Sequence, residues 1–240
     1  MGYTLRRPPR RGATPGPRAT WVTWNRLRYT LYAPVYDLAV AYLPLFRRGR
    51  RRSLTLAAFR PGERVLLVAA GTGLDLAYLP AGVAVVATDV TPAMIRRLRA
   101  RARALGREVT AEVMDAARLA YPDASFDGVV LHLALAVVPD PAATIREAAR
   151  VLRPGGRIAV FDKFLPDGAA PSALRRVAAA VARLLATDLN RQLGPLLRAA
   201  GLREVRREPV GLGGAFVVAR ADREAVSRGP GRLRDSGASV

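Results

Sequence analysis

From Pro61 to about Arg220 the chain alternates short apolar runs, rich in β-branched residues, with stretches of helical period. RVLLVA (64–69), VAVVAT (83–88), EVTAEVM (108–114), FDGVVLHL (126–133) and GRIAVFD (156–162) read as five strands, each apolar enough to be buried on both faces. The best marked helix between them starts at Thr91 as N-cap with Pro92 in the first turn, and carries Ile95, Leu98, Ala102 and Leu105 on one stripe. Strands alternating with helices predict an α/β, doubly wound, Rossmann-like fold on a mostly parallel seven-stranded sheet, with its ligand site at the carboxyl ends of the strands. EVRREPV (204–210) and GAFVVAR (214–220), separated by Gly211–Gly213, predict the antiparallel hairpin that closes the sheet.

Outside this region the pattern changes. Residues 1–19 are rich in Arg, Pro and Gly without apolar period and read as a disordered basic arm, and the chain turns polar again over 221–240. Residues 20–60 read as an N-terminal amphipathic helical cap on a domain spanning 61–220. Seven of the fifteen aromatics fall between Trp21 and Phe46, and the RRGRRR run occupies 47–52. Two readings of this cap stand side by side: an interfacial helix on anionic lipid, or a lid packed on the sheet. Ser172 to Thr187 forms a second amphipathic segment, expected to be a lid over the acceptor within an insertion at 170–200.

Composition narrows the chemistry. There are no cysteines and one histidine, so thiolate sites, imidazole metal sites and serine hydrolase triads have almost nothing to work with, and no metal is expected. The net charge of +20 is uneven: residues 1–60 hold 13 basic residues against one acid, 61–160 hold 12 against 10, and 161–240 hold 14 against 8. Attraction to anionic partners therefore belongs to the flanks. No apolar run is long enough to span a bilayer, and a cytoplasmic location is expected, with peripheral attachment to the inner face of the membrane.

The first strand runs into Ala69-Ala70-Gly71-Thr72-Gly73, a glycine-rich turn that lets backbone approach a ligand, followed by a predicted helix. Leu76 stands where a dinucleotide fingerprint needs its third glycine, which argues against NAD. Asp89 ends strand two, where a carboxylate can accept both hydroxyls of a ribose, and Asp115 ends strand three, within reach of an adenine edge. The lone His132 and the lone Lys163 fall at the ends of strands four and five with Asp162 beside them; each is either a functional group at the ligand edge or a strand-end polar residue facing water.

VLLVAAGTG (65–73), VVATDVTPAM (85–94), DAARLAYPDASFDGVVLHLAL (115–135) and VLRPGGRIAVFD (151–162) together resemble the class I S-adenosylmethionine-dependent methyltransferases. Within these the chain is similar to the branch of bacterial phosphatidylethanolamine N-methyltransferases and quinone C-methyltransferases, with YAPVYDLAV (32–40) and FDKFLPDG (161–168) as supporting segments. The resemblance implies S-adenosyl-L-methionine as cofactor, held by Ala69, Gly71, Thr72, Gly73, Asp75, Asp89, Asp115 and Ala116, and places Tyr36 over its amino-acid end. Two positions depart from the family: Leu67 replaces an acid, with Asp75 the candidate substitute, and Ala69 replaces a glycine. HLALAVVPDP (132–141) lacks the Asn- or Asp-Pro-Pro-aromatic motif of nucleic-acid amino-methyltransferases, so nucleic acid is not expected as a partner. The expected activity is methylation of an amphiphilic acceptor, foremost a phosphatidylethanolamine-type lipid, with His132, Tyr36, Lys163 and Asp162 as candidate catalytic residues. A quinone or other small-molecule acceptor, or a degenerate fold binding anionic surfaces, are the alternatives.

Overall fold

The computed structural model describes residues 43–184, 187–211 and 214–225. In chain order the elements are α1 (Pro44–Ala57), β1 (Arg64–Val68), a 3-10 turn (Leu74–Ala77), β2 (Ala84–Asp89), α2 (Pro92–Ala104), β3 (Val109–Val113), β4 (Phe126–His132), α3 (Pro141–Val151), β5 (Leu152–Lys163), α4 (Ala173–Leu184), α5 (Leu193–Ala199), β6 (Leu202–Val210) and β7 (Phe216–Arg223). They build one seven-stranded sheet of order β3-β2-β1-β4-β5-β7-β6. The first five strands are parallel, and β7 lies antiparallel between β5 and β6, which is the predicted closing hairpin.

Alternation along the strands gives the sheet two apolar faces. Leu66, Val68, Val129, Leu131, Ile158 and Val160 face a core completed by Ile145 and Ala148 of α3 and Leu193 and Leu197 of α5. Val65, Leu67, Val85, Ala87, Val130 and Ala159 face the opposite core, with Leu54 and Ala57 of α1 and Ile95 and Leu98 of α2. The strand order reverses beside β1, so the carboxyl ends of β1 and β4 open the crevice where such sheets take ligands.

Three local features differ from the sequence pattern. The segment after the glycine-rich turn is a single 3-10 turn of four residues rather than a helix, because Pro80 lacks an N–H and bars its predecessor from helical geometry. β3 is an edge strand with Val113 47% exposed, so it is not buried on both faces. β5 starts at Leu152, four residues before the apolar run, with a register shift against β4 between Phe126 and Gly128.

The run at 47–52 is not uniform: Arg47, Arg48, Arg51 and Arg52 are exposed, while Gly49 and Arg50 are buried. It lies within α1, whose buried face is Gly49, Arg50, Ser53, Leu54 and Ala57. Gly49 sits against Phe161, where a Cβ would fall 2.2 Å from the ring. Arg52 forms an exposed fork to Glu208 of β6, at 2.6 and 2.7 Å. The residues before Leu43, including the aromatic stretch from Trp21 and Tyr36, lie outside the described residues.

Candidate active site

The turn after β1 is built for close approach. Gly71 and Gly73 have φ of +55° and +77°, and Gly73 packs so tightly on Leu98 that a Cβ would lie 2.8 Å away. A Cβ on Gly71 would meet nothing within 4 Å, so the loop leaves space on its outer side. Asp89 organises this loop: Oδ2 accepts the Gly71 N–H at 2.9 Å and Oδ1 the Thr91 N–H at 2.8 Å. Burial raises its pKa, opposed by these two backbone donors. The Thr91 side chain also hydrogen-bonds to this carboxylate, which keeps one lone pair that suits a ribose hydroxyl. Asp115 caps the turn after β3 by accepting the Ala117 N–H at 2.9 Å, beside the buried Ala116. Thr72 is buried and receives Arg101 Nη1 at 3.1 Å. Carboxylates at the ends of β2 and β3 around an open glycine loop fit an adenosine.

Ala69 and Leu133 both have φ in the left-handed region, +52° and +55°, immediately beyond β1 and β4. Non-glycine residues held there signal stored strain, and such strain clusters at functional sites.

His132 and Asp75 meet in a buried cluster beneath α1. Asp75 Oδ1 lies 2.6 Å from His132 Nδ1 and 2.7 Å from Arg50 Nη1, and His132 Nε2 lies 2.9 Å from Ser53 Oγ. Burial alone would raise the Asp75 pKa, but Arg50 and His132 outweigh it and hold the carboxyl well below the usual range. His132 is thus enclosed, at 5% exposure, instead of facing an open edge. Arg50 and Ser53 were not singled out in the sequence, where Arg50 was one member of a basic run; Gly49 inside a helix was the available sign of a close contact.

Asp162 and Lys163 end β5. Phe161 packs on α1, so Asp162, the next residue, points to the other face of the sheet, away from the His132 cluster. Its Oδ2 accepts the Ala136 N–H and its Oδ1 the Lys163 N–H, both at 2.8 Å, and burial pushes its pKa up. Lys163 Nζ donates to Thr187 Oγ1 at 3.1 Å and lies 5.8 Å over the Phe216 ring. Arg191 Nη2 reaches the Val138 carbonyl at 2.8 Å, fastening the segment after α4 to the loop after β4.

Comparison with known proteins decides what this crevice belongs to. A family model described as a methyltransferase domain matches residues 66–160. A phosphatidylethanolamine N-methyltransferase of Cereibacter sphaeroides is 33% identical over 176 residues, 72% of this chain and 86% of the relative. The chain belongs to the class I S-adenosylmethionine-dependent methyltransferases. The methyltransferase is also 38% identical to a demethylmenaquinone methyltransferase of Thermus thermophilus, over 54% of its own length and 61% of that relative. Among solved structures its fold is similar to that of the cyclase SpnF, at a TM-score of 0.72 and 18% identity over 85% of this chain and 97% of that one. Relatives named for acceptors as different as a phospholipid and a quinone place the methyltransferase in no single branch. It is an enzyme that uses S-adenosylmethionine to methylate a small or amphiphilic acceptor.

Proposed function

We propose that the acceptor is the primary amine of a phosphatidylethanolamine-type lipid, reached from the surface of an anionic membrane. The observation that carries this reading is Lys163. Its ammonium, at the end of β5, gives one donor to Thr187 and faces an aromatic ring, which among the described residues leaves two donors for a phosphodiester oxygen. The match to the phosphatidylethanolamine N-methyltransferase, extending over 72% of the chain, supports it. In this reading residues 1–19 and 20–60 form the arm and cap that touch the membrane, and 170–200 the lid over the acceptor.

S-adenosylmethionine, when bound, supplies a methyl group already activated on a sulfonium. The protein therefore has to align the amine with that methyl and exclude water, and the amine's proton is left to solvent. Gly71, Thr72 and Gly73 let the backbone approach the cofactor, with Ala69 and Ala116 lining its edges and Asp89 and Asp115 accepting from the nucleoside. Lys163 holds the headgroup. Asp162, with both oxygens on backbone N–H groups, orders the loops after β4 and β5 rather than taking a proton.

Incubation with labelled S-adenosylmethionine and a total lipid extract tests the reading. Label is expected on methylated phosphatidylethanolamine, and Lys163→Met should lower that turnover while leaving cofactor affinity unchanged. Label on a quinone would favour the second reading, for which the 38% identity to a demethylmenaquinone methyltransferase speaks. A quinone ring carries no phosphate and gives Lys163 no anion to hold.

A further inference from the structure

The cofactor has two ends, and Asp89 and Asp115 account for one. Asp89 and Asp115 lie along the carboxyl ends of β2 and β3 and serve the nucleoside, so the amino-acid end has to extend past Gly71 and Gly73 toward β4. That end is a zwitterion and needs one cationic and one anionic partner. Leu67, buried in the core, offers neither.

Arg50 and Asp75 stand in that direction. Asp75 follows Gly73 by two residues, and His132, on its other side, ends β4. Arg50 reaches in from α1, and its side chain is 9% exposed. Its Nη1 is paired to Asp75 at 2.7 Å, while its Nε is buried with no hydrogen-bond partner. A guanidinium fork with an unsatisfied buried N–H is matched by a carboxylate, which takes two parallel N–H donors. The contacts on Asp75 are complementary: Arg50 and His132 both fall on Oδ1, so Oδ2 can accept from an ammonium. Ser53 closes the cluster by holding His132 Nε2 at 2.9 Å.

We propose that Arg50 and Asp75 form the subsite for the amino-acid end of S-adenosylmethionine, Arg50 binding its carboxylate and Asp75 its ammonium. His132 and Ser53 are positioning residues that fix the Asp75 carboxylate. The subsite replaces the acid missing at Leu67 with a pair assembled from α1 and the 3-10 turn. It also makes cofactor binding depend on the docking of α1.

The proposal rests on the cofactor assignment and not on the acceptor, and it is tested without one. Calorimetry on the full chain compares S-adenosylmethionine with its decarboxylated analogue, and both with 5′-methylthioadenosine, which lacks the amino-acid end. The wild type should bind S-adenosylmethionine roughly ten- to a hundredfold more tightly than the decarboxylated compound, as expected for hydrogen bonds to a charged group. Arg50→Gln should abolish that difference and leave the decarboxylated compound and 5′-methylthioadenosine unaffected. Asp75→Asn should weaken both amine-bearing compounds and not 5′-methylthioadenosine. Equal wild-type affinity for the first two compounds would overturn the proposal, whether or not the variants fold. Equal weakening of all three ligands in Arg50→Gln would also overturn it, by showing that Arg50 only supports the loop. Failure of every ligand to bind would remove the subsite together with the cofactor assignment.

Discussion

His132 Nδ1 lies 2.6 Å from Asp75 Oδ1, across 57 residues of sequence, and the same ring places Nε2 2.9 Å from Ser53 Oγ. The order of groups is that of a serine hydrolase, yet Ser53 is fully buried on α1 and its hydroxyl donates to the Val160 carbonyl at 3.1 Å. The serine is a fastener between a helix and the sheet. Ser53→Ala should destabilise the protein by about 1–3 kcal/mol, the cost of leaving buried partners unpaired. Urea unfolding measures this, and a fluorophosphonate probe should leave native Ser53 unlabelled.

Gly49 permits the contact between α1 and Phe161. Gly49→Ala places a methyl 2.2 Å from the ring and should cost about 1–3 kcal/mol, as overpacking does. In combination with Phe161→Leu the loss should be smaller than the sum of the two single losses, because the clash is removed. A strictly additive pair would show that Gly49 matters for some other reason.

Ala69 tests backbone strain. At φ +52° it occupies a region that disfavours side chains by roughly 1–2 kcal/mol, offset in part by the greater freedom of glycine in the unfolded chain. Ala69→Gly should therefore stabilise the protein by about 0.5–1 kcal/mol in equilibrium unfolding. A loss of stability would mean that the Ala69 methyl contributes more by packing than its backbone costs.

Two opposed sets of acids shape the pH profile. Burial raises Asp89 and Asp162, so their ionisation in the folded state costs stability at neutral pH, and the cost is relieved as pH falls through their raised values. Asp75 is lowered by Arg50 and His132 against its burial, Glu147 by Arg150, and Asp127 by the Arg64 N–H and Arg153 against its burial. These three stabilise above the ordinary carboxyl values of 3.8 and 4.5, and their contribution is lost as pH falls through the lowered ones. Melting midpoints should hold or rise from about pH 7 to about pH 5 and fall steeply below about pH 4. A steady decline already between pH 7 and 5 would contradict the assignment of Asp89 and Asp162.

The sheet was legible in the sequence because parallel strands are covered on both faces, so β1, β2, β4 and β5 appear as unbroken apolar runs whatever packs on them. The glycine turn and the acids Asp89 and Asp115 were legible for a related reason: a strand end fixes where a side chain stands, without knowledge of distant partners. β3 reads as buried on both faces in the sequence, and only the strand order makes it an edge. The packing of α1 and the cluster beneath it were hidden from pattern. The buried face of α1 is largely Gly49, Arg50 and Ser53, residues that carry no apolar signal and become core only against Phe161, Asp75 and His132. Local chemistry therefore determined the fold and the strand-end positions of the glycine turn, Asp89 and Asp115. Only tertiary structure, which joins these groups across as many as 79 residues through hydrogen bonds that leave no periodic trace, decided what Arg50, Ser53, Asp75 and His132 do for one another.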